Sequence, residues 1–181
     1  PAGTITINSL TSFSGIPLLG DETDIRINIS TANTASGSET FSIGPVEGQV
    51  FDQGGNVLDP AGNTQTINLY DLLSPSLEIA SSPAAVGGLI YLQSDFVLTY
   101  SEPVRNGDGD SPSTEDLDHK TTLAYQDGEL EAIAFTASIN AQNTIITIAP
   151  DSDLDEWRLV QVTFGSGFLD TVGNVAGGAT A

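Results

Sequence analysis

Apolar residues in this chain recur at every second position in short runs, and no segment sustains a 3.6-residue period. Period two is the side-chain period of a β-strand, so the pattern commits the chain to sheets that bury one face. Thr4–Ile7 alternates strictly. In Asp24–Ser30, Ile25, Ile27 and Ile29 share one face, with Arg26 and Asn28 on the other. Thr40–Ile43, Gln49–Phe51, Thr66–Tyr70, Leu89–Leu92, Phe96–Tyr100, Ala132–Ser138, Thr144–Ile148 and Arg158–Phe164 read as further strands. In the last, Val160, Val162 and Phe164 face away from Leu159, Gln161 and Thr163. Turn-forming clusters such as Asn106–Asp110, Ile139–Asn143 and Gly165–Gly167 separate the runs. The one predicted helical turn is Ser113–Leu117, with Ser113 or Thr114 as cap and Glu115 and Asp116 near its start. Many short strands joined by Gly-rich turns make an all-β sandwich or barrel the expected class.

The chain's 181 residues accommodate one or two sandwich domains of about 100 residues each. No stretch of about 18 apolar residues is present, so no membrane insertion is expected. The chain reads as a mature chain or a fragment, since no secretory signal precedes Pro1. Four Lys and Arg face 24 Asp and Glu, for a net charge of −20. That excludes nucleic acid and anionic membrane surfaces as partners, because both need a positive field. Two readings of the acidity stand: solubility in a salty medium, where self-repulsion is screened, or carboxylates that hold Ca²⁺, a hard cation taking oxygen ligands. Cysteine and methionine are absent, which removes disulfides, thiolate metal sites and oxidisable sulfur.

The chain also repeats itself. Phe51-Asp52-Gln53-Gly54-Gly55-Asn56 and Leu169-Asp170-Thr171-Val172-Gly173-Asn174 share the pattern apolar-D-x-x-G-N, with their Asp residues 118 positions apart. Leu58-Asp59-Pro60-Ala61-Gly62-Asn63 is a second copy, at an offset of 111. In such a turn Asp accepts backbone N–H bonds, Gly supplies a positive φ, and Asn tolerates left-handed geometry. A structural turn and a metal role are both compatible with these side chains. The repeat is lopsided. About 100 residues from near Ser74 precede the second turn, but only 51 precede the first. The first unit therefore lacks counterparts of Leu77–Ile79 and Phe96–Tyr100. An open edge and core are expected there, completed by chain preceding Pro1 or by a neighbouring subunit.

Phe96–Val104, followed about 70 residues later by Phe168–Asn174, resembles the bacterial Ig-like (Big-type, SwmA-like) repeats. Gly20-Asp21-Glu22-Thr23, Gly37-Ser38-Glu39-Thr40, Asp52–Asn56, Thr64-Gln65-Thr66, Leu69-Tyr70-Asp71 and Ser74-Pro75 resemble the tandem repeats of large Bacteroidota cell-surface adhesins, including gliding-motility-type adhesins. Tyr70 stands where those repeats usually carry Asn. The resemblance covers essentially the whole chain. It implies tandem Ig-like antiparallel β-sandwich domains: residues 1–72, the C-terminal part of a repeat lacking its opening strands, and residues 73–181, a second repeat. It also implies an extracellular, cell-surface location.

By that resemblance, Glu102, the Asn106–Asp110 loop and Asp170–Asn174 lie at one tip of the second domain, where the linker residue Asp71 enters. The expected metal ligands are Asp71, Glu102, Asn106, Asp108, Asp110, Asp170 and Asn174, with Ca²⁺ as the ion. Asn106, Asp108 and Asp110 have the alternating oxygen spacing of a Ca²⁺ loop, but Leu117 stands where an EF-hand carries Glu. Asp151–Glu156 alternates carboxylates too, and reads as a turn before a strand. Zinc and Cys–His chemistry are excluded, because His119 is the sole histidine and Cys is absent. Trp157 reads as core or edge packing rather than a sugar-stacking platform.

The expected function is an extracellular structural or adhesive repeat: a stalk, filament element or adhesin spacer stiffened by Ca²⁺ at the interdomain junction, and not an enzyme. Its partners would be neighbouring repeats or subunits. Two alternatives remain: a self-assembling filament subunit completed by strand donation, and an accessory module binding a glycan or cell surface.

Overall fold

The computed structural model of the chain describes residues 3–20, 22–127 and 130–181. Asp21 of the Gly20–Thr23 motif lies outside the described residues. The chain divides into two compact units, Pro1–Leu73 and Ser74–Ala181.

In the first unit the isoleucine-alternating segment forms β2 (Ile25–Thr31), which pairs antiparallel with β1 (Ile5–Ser12). The register runs from Ile5 opposite Thr31 to Ser12 opposite Ile25, with an irregularity between Ile7 and Ser9. A second ribbon joins β3 (Thr40–Ile43) to β4 (Gln65–Asn68), Thr40 opposite Asn68. Between them α1 (Pro60–Asn63) is a single turn capped by Asp59, whose carboxylate accepts the Ala61 N–H. Two-stranded ribbons have little surface to bury. Accordingly, Ala35 is the one buried hydrophobic residue among the described residues of this unit. Gln49–Phe51 does not form the expected strand. Phe51 makes one bridge, to Val57, because the D-x-x-G-N turn reverses the chain immediately.

The second unit holds β5 (Leu77–Ser82), β6 (Asp95–Tyr100), α2 (Thr114–Lys120), β7 (Thr121–Tyr125), β8 (Glu131–Ala132), β9 (Phe135–Ile139), β10 (Ile145–Pro150), β11 (Val160–Phe164) and β12 (Ala179–Thr180). Two four-stranded antiparallel sheets result, ordered β5-β6-β10-β9 and β12-β11-β7-β8. One core takes Phe96, Leu98 and Tyr100 from β6 and Ile146 and Ile148 from β10. The other sheet adds Leu123 from β7 and Val162 and Phe164 from β11, and α2 adds Leu117. Alternation puts these residues inward, and each large side chain so buried contributes about 1.5–3 kcal/mol.

Two expected strands differ here. Ala132–Ser138 splits between β8 and β9, which belong to different sheets. Leu89–Leu92 forms no strand: Leu89 bridges back to Val86 across Gly87 and Gly88, both at positive φ. No helix among the described residues is long and apolar enough to cross a membrane.

Candidate metal centre

After β6 the chain runs through Ser101–Asn106. The Ser101 N–H donates to the Ser76 carbonyl and the Ser101 hydroxyl accepts the Ser76 N–H. Pro103 has no N–H to donate. Val104 is buried in the core, which turns Arg105 outward onto the next loop. Arg105 and Leu169 exchange backbone bonds, Arg105 N–H to Leu169 O at 2.8 Å and Leu169 N–H to Arg105 O at 2.9 Å. The guanidinium then caps the loop, with Nε 2.8 Å from the Asp170 carbonyl and Nη2 3.1 Å from that of Thr171.

That loop is the second D-x-x-G-N turn. Leu169 bridges Val175, and the Asp170 N–H donates to the Asn174 carbonyl at 3.0 Å. Asp170 Oδ1 accepts the N–H groups of Val172, Gly173 and Asn174 at 2.8, 2.6 and 2.9 Å. Asp170 Oδ2 accepts Asn174 Nδ2 at 2.7 Å. Gly173 sits at φ 105, a conformation open to glycine and strained for other residues. Asp170 is completely buried, at 0% exposure. Burial works to raise its pKa, but the donors from Asn174, Val172 and Gly173 outweigh it and hold the carboxyl below its ordinary value.

Half-buried Glu102 brings a carboxylate oxygen within 4.8 Å of one from Asp170. Like charges this close, one of them fully buried, repel, and a shared cation relieves the repulsion. Carboxylate oxygens suit a hard cation such as Ca²⁺. The donors on Asp170 occupy most of its lone pairs, so it offers such an ion a limited share of its coordination.

The remaining expected ligands make local hydrogen bonds. The Asn106–Asp110 loop closes on itself: the Asn106 N–H donates to Asp110 O, the Gly109 N–H to Asn106 O, and the Asp110 N–H to Asp108 Oδ1. Asn106 Nδ2 donates to Asp116 Oδ2 at 2.9 Å. That oxygen also accepts the backbone N–H and hydroxyl of Ser113, completing the capping box of α2. Bonds from Ser113, then from Asn106, lower the Asp116 pKa to about 2. No group of three or more acidic or histidine ligands among the described residues includes Asp108 or Asp110. Within this loop Asp108 Oδ1 serves its own turn and the Asn106 amide nitrogen serves the α2 cap. Asn174 spends its amide on Asp170. Asp71, in the first unit, is half-buried; its Oδ1 accepts the Leu73 N–H at 3.0 Å, and its Cβ lies 2.9 Å from where Gly37 would carry one.

Arg105, which the sequence reading passed over, holds the site together. Its signal was present: it is one of four cationic residues in the chain, directly after Glu102-Pro103-Val104. Beyond this site, Asp155 of the acidic Asp151–Glu156 run pairs with Arg158, which also binds Asp127 and Glu131 and lies 4.0 Å from the Tyr125 ring centroid. Trp157 does not pack as expected. It is 93% exposed, at φ 63, because the chain reverses there between the acidic run and β11. No protein-family model and no characterised protein matches this chain.

Proposed function

We propose that this chain is a structural, non-enzymatic module of an extracellular surface protein, built from Ig-like repeats, and that its second unit binds Ca²⁺ through Glu102 and Asp170. The fold reading rests on strand order. With β5 to β12 lettered A, B, C, C′, D, E, F and G, the sheets of the second unit are A-B-E-D and G-F-C-C′, an Ig-type β-sandwich order. The similarity to Bacteroidota adhesin repeats supports a surface location with neighbouring repeats as partners. The acidic composition and lone histidine favour a scaffold over a catalyst.

The observation that carries the Ca²⁺ reading is the close approach of the Glu102 and Asp170 carboxylates. A cation there ties the segment after β6 to the turn after β11. Ca²⁺ should raise the melting temperature of the chain at constant ionic strength, while matched Na⁺ does not, and Glu102→Gln should remove the Ca²⁺-specific rise. Saturation at a hundred times Kd stabilises by about 2.7 kcal/mol. A wild-type melting temperature indifferent to Ca²⁺ and EDTA sinks the cation reading and leaves the Ig-like one standing.

One observation favours a glycan-binding role as a second reading. Exposed Trp157 and Tyr91 line the same hollow of about 640 Å³, together with Ser81 and Asp155. Aromatic faces stack on the C–H faces of sugars, and hydroxyl and carboxylate groups bind sugar hydroxyls. A glycan array that gives no hits removed by Trp157→Ala eliminates this role.

A further inference from the structure

The two D-x-x-G-N turns share their closing backbone bonds, and the first adds a bond from the Gly55 N–H to Asp52 O at 3.0 Å. In the first, the Asp52 N–H donates to Asn56 O at 3.0 Å and the Leu58 N–H to Val50 O at 2.9 Å, around the Phe51–Val57 bridge. In the second, the Asp170 N–H donates to Asn174 O at 3.0 Å and the Ala176 N–H to Phe168 O at 2.8 Å, around the Leu169–Val175 bridge. Asp52 Oδ1 and Oδ2 accept the N–H and Nδ2 of Asn56, as Asp170 accepts those of Asn174. In this register the bridged residues do not bond each other, so the N–H and C=O of Phe51 and of Leu169 point away from the hairpin. Those of Leu169 meet the backbone of Arg105. Among the described residues, those of Phe51 meet nothing. The surroundings agree. Phe51 is 56% exposed, flanked by exposed Val46, Val50, Val57 and Leu58, and such a cluster marks a contact surface. Asp52 is exposed where Asp170 is buried.

We infer that the first unit binds an extended polypeptide segment along Phe51, with an apolar residue followed by a cationic one in the places that Val104 and Arg105 take in the second unit. The backbone of the cationic residue exchanges hydrogen bonds with the N–H and C=O of Phe51. Its side chain caps the Asp52 and Gln53 carbonyls, as Arg105 caps those of Asp170 and Thr171. The apolar residue before it covers the exposed cluster. Charge favours such a donor, because the first unit carries eight acidic residues and one cation, Arg26. This is strand addition to an open edge, where main-chain bonds supply affinity and alternate side chains supply specificity. It is independent of the Ca²⁺ proposal.

The probe is a synthetic peptide with the sequence of Asp95–Asn106, the segment that fills the equivalent place in the second unit. Added to the whole chain labelled with ¹⁵N, it should shift the amide resonances of residues 50–58 saturably and leave those of residues 168–176 in place. A peptide N-methylated at the arginine loses one backbone bond and should bind about tenfold more weakly, as should the Arg105→Glu peptide. Because these changes lie in the peptide, they leave the folding of the chain untouched. No binding, shifts at 168–176 alone, or equal binding by all three peptides overturns the proposal. So does a chain that already self-associates with the Phe51 amide protected from exchange, since the occupant is then a second copy.

Discussion

Asp170 and Asp52 have the same turn and the same motif, so a substitution at each isolates what burial does. Asp170→Asn sets an amide donor among donors in a site with no access to water, and should cost about 3 kcal/mol of stability in denaturant unfolding. Asp52→Asn, at an exposed turn, should cost far less. Acid acts on the same chemistry. The pKa of Asp170 is lowered, and that of Asp116 falls from 3.8 to about 2. A group whose folded pKa is depressed stabilises above its unfolded pKa and loses that contribution as pH falls through the folded value. Stability should therefore hold down to about pH 4 and drain between there and pH 2, with NMR titration placing the Asp116 midpoint at the low end. Trp157 gives a third residue-level test. A bulky residue at positive φ stores about 1 kcal/mol of backbone strain, so Trp157→Gly should raise the melting temperature. The wild-type indole should be readily quenched by iodide.

Among elements, α2 is the one the sequence read most closely. Ser113, Glu115 and Asp116 predicted a capped turn, and the capping box is there, with the helix continuing to Lys120. Ser113→Ala should cost about 1 kcal/mol, and Leu117→Ala, which empties a core position, about 3 kcal/mol; thermal unfolding of each variant checks both. The strands were legible where alternation met clear turn signals, as in β2, β3, β6 and β11. β7 was not. It starts at Thr121 directly after α2, with no Gly or Pro between, so nothing in the local sequence marks where period 3.6 gives way to period two. The Ala132–Ser138 run failed for the opposite reason: it continues through Ile133 and Ala134, where the chain crosses from one sheet to the other. At the candidate site, the residues of the turn were legible because the D-x-x-G-N pattern is local. That Asn106 serves α2 through Asp116, and that Arg105 grips the turn, depends on pairings across 10 and 65 positions, which no local pattern carries.

For the whole molecule the decisive fact is that the two units bury such different amounts. The second closes two sheets over a core that includes Leu98, Ile146, Ile148 and Phe164, each at 1% exposure or less. The first leaves Ile7, Phe13, Leu19, Phe51 and Ile67 more than half exposed. Local opening free energy follows buried apolar contact. Amides of β6, β10 and β11 should therefore exchange orders of magnitude more slowly than those of β1 to β4, and limited proteolysis should cut within residues 3–73 first, leaving 74–181 intact. Both units are acidic, and −20 charges on 181 residues oppose compaction through self-repulsion that salt screens within about 10 Å at 0.1 M. Raising NaCl from about 10 mM to about 0.5 M should therefore raise the melting temperature of the second unit's transition, whereas a chain held together by surface ion pairs would lose stability over the same range. Among the described residues Arg158 pairs with Asp127, Glu131 and Asp155. Screening thus weakens three attractions of one guanidinium and relieves repulsion spread over both units, so a melting temperature that falls with salt would show that the Arg158 cluster outweighs the net charge.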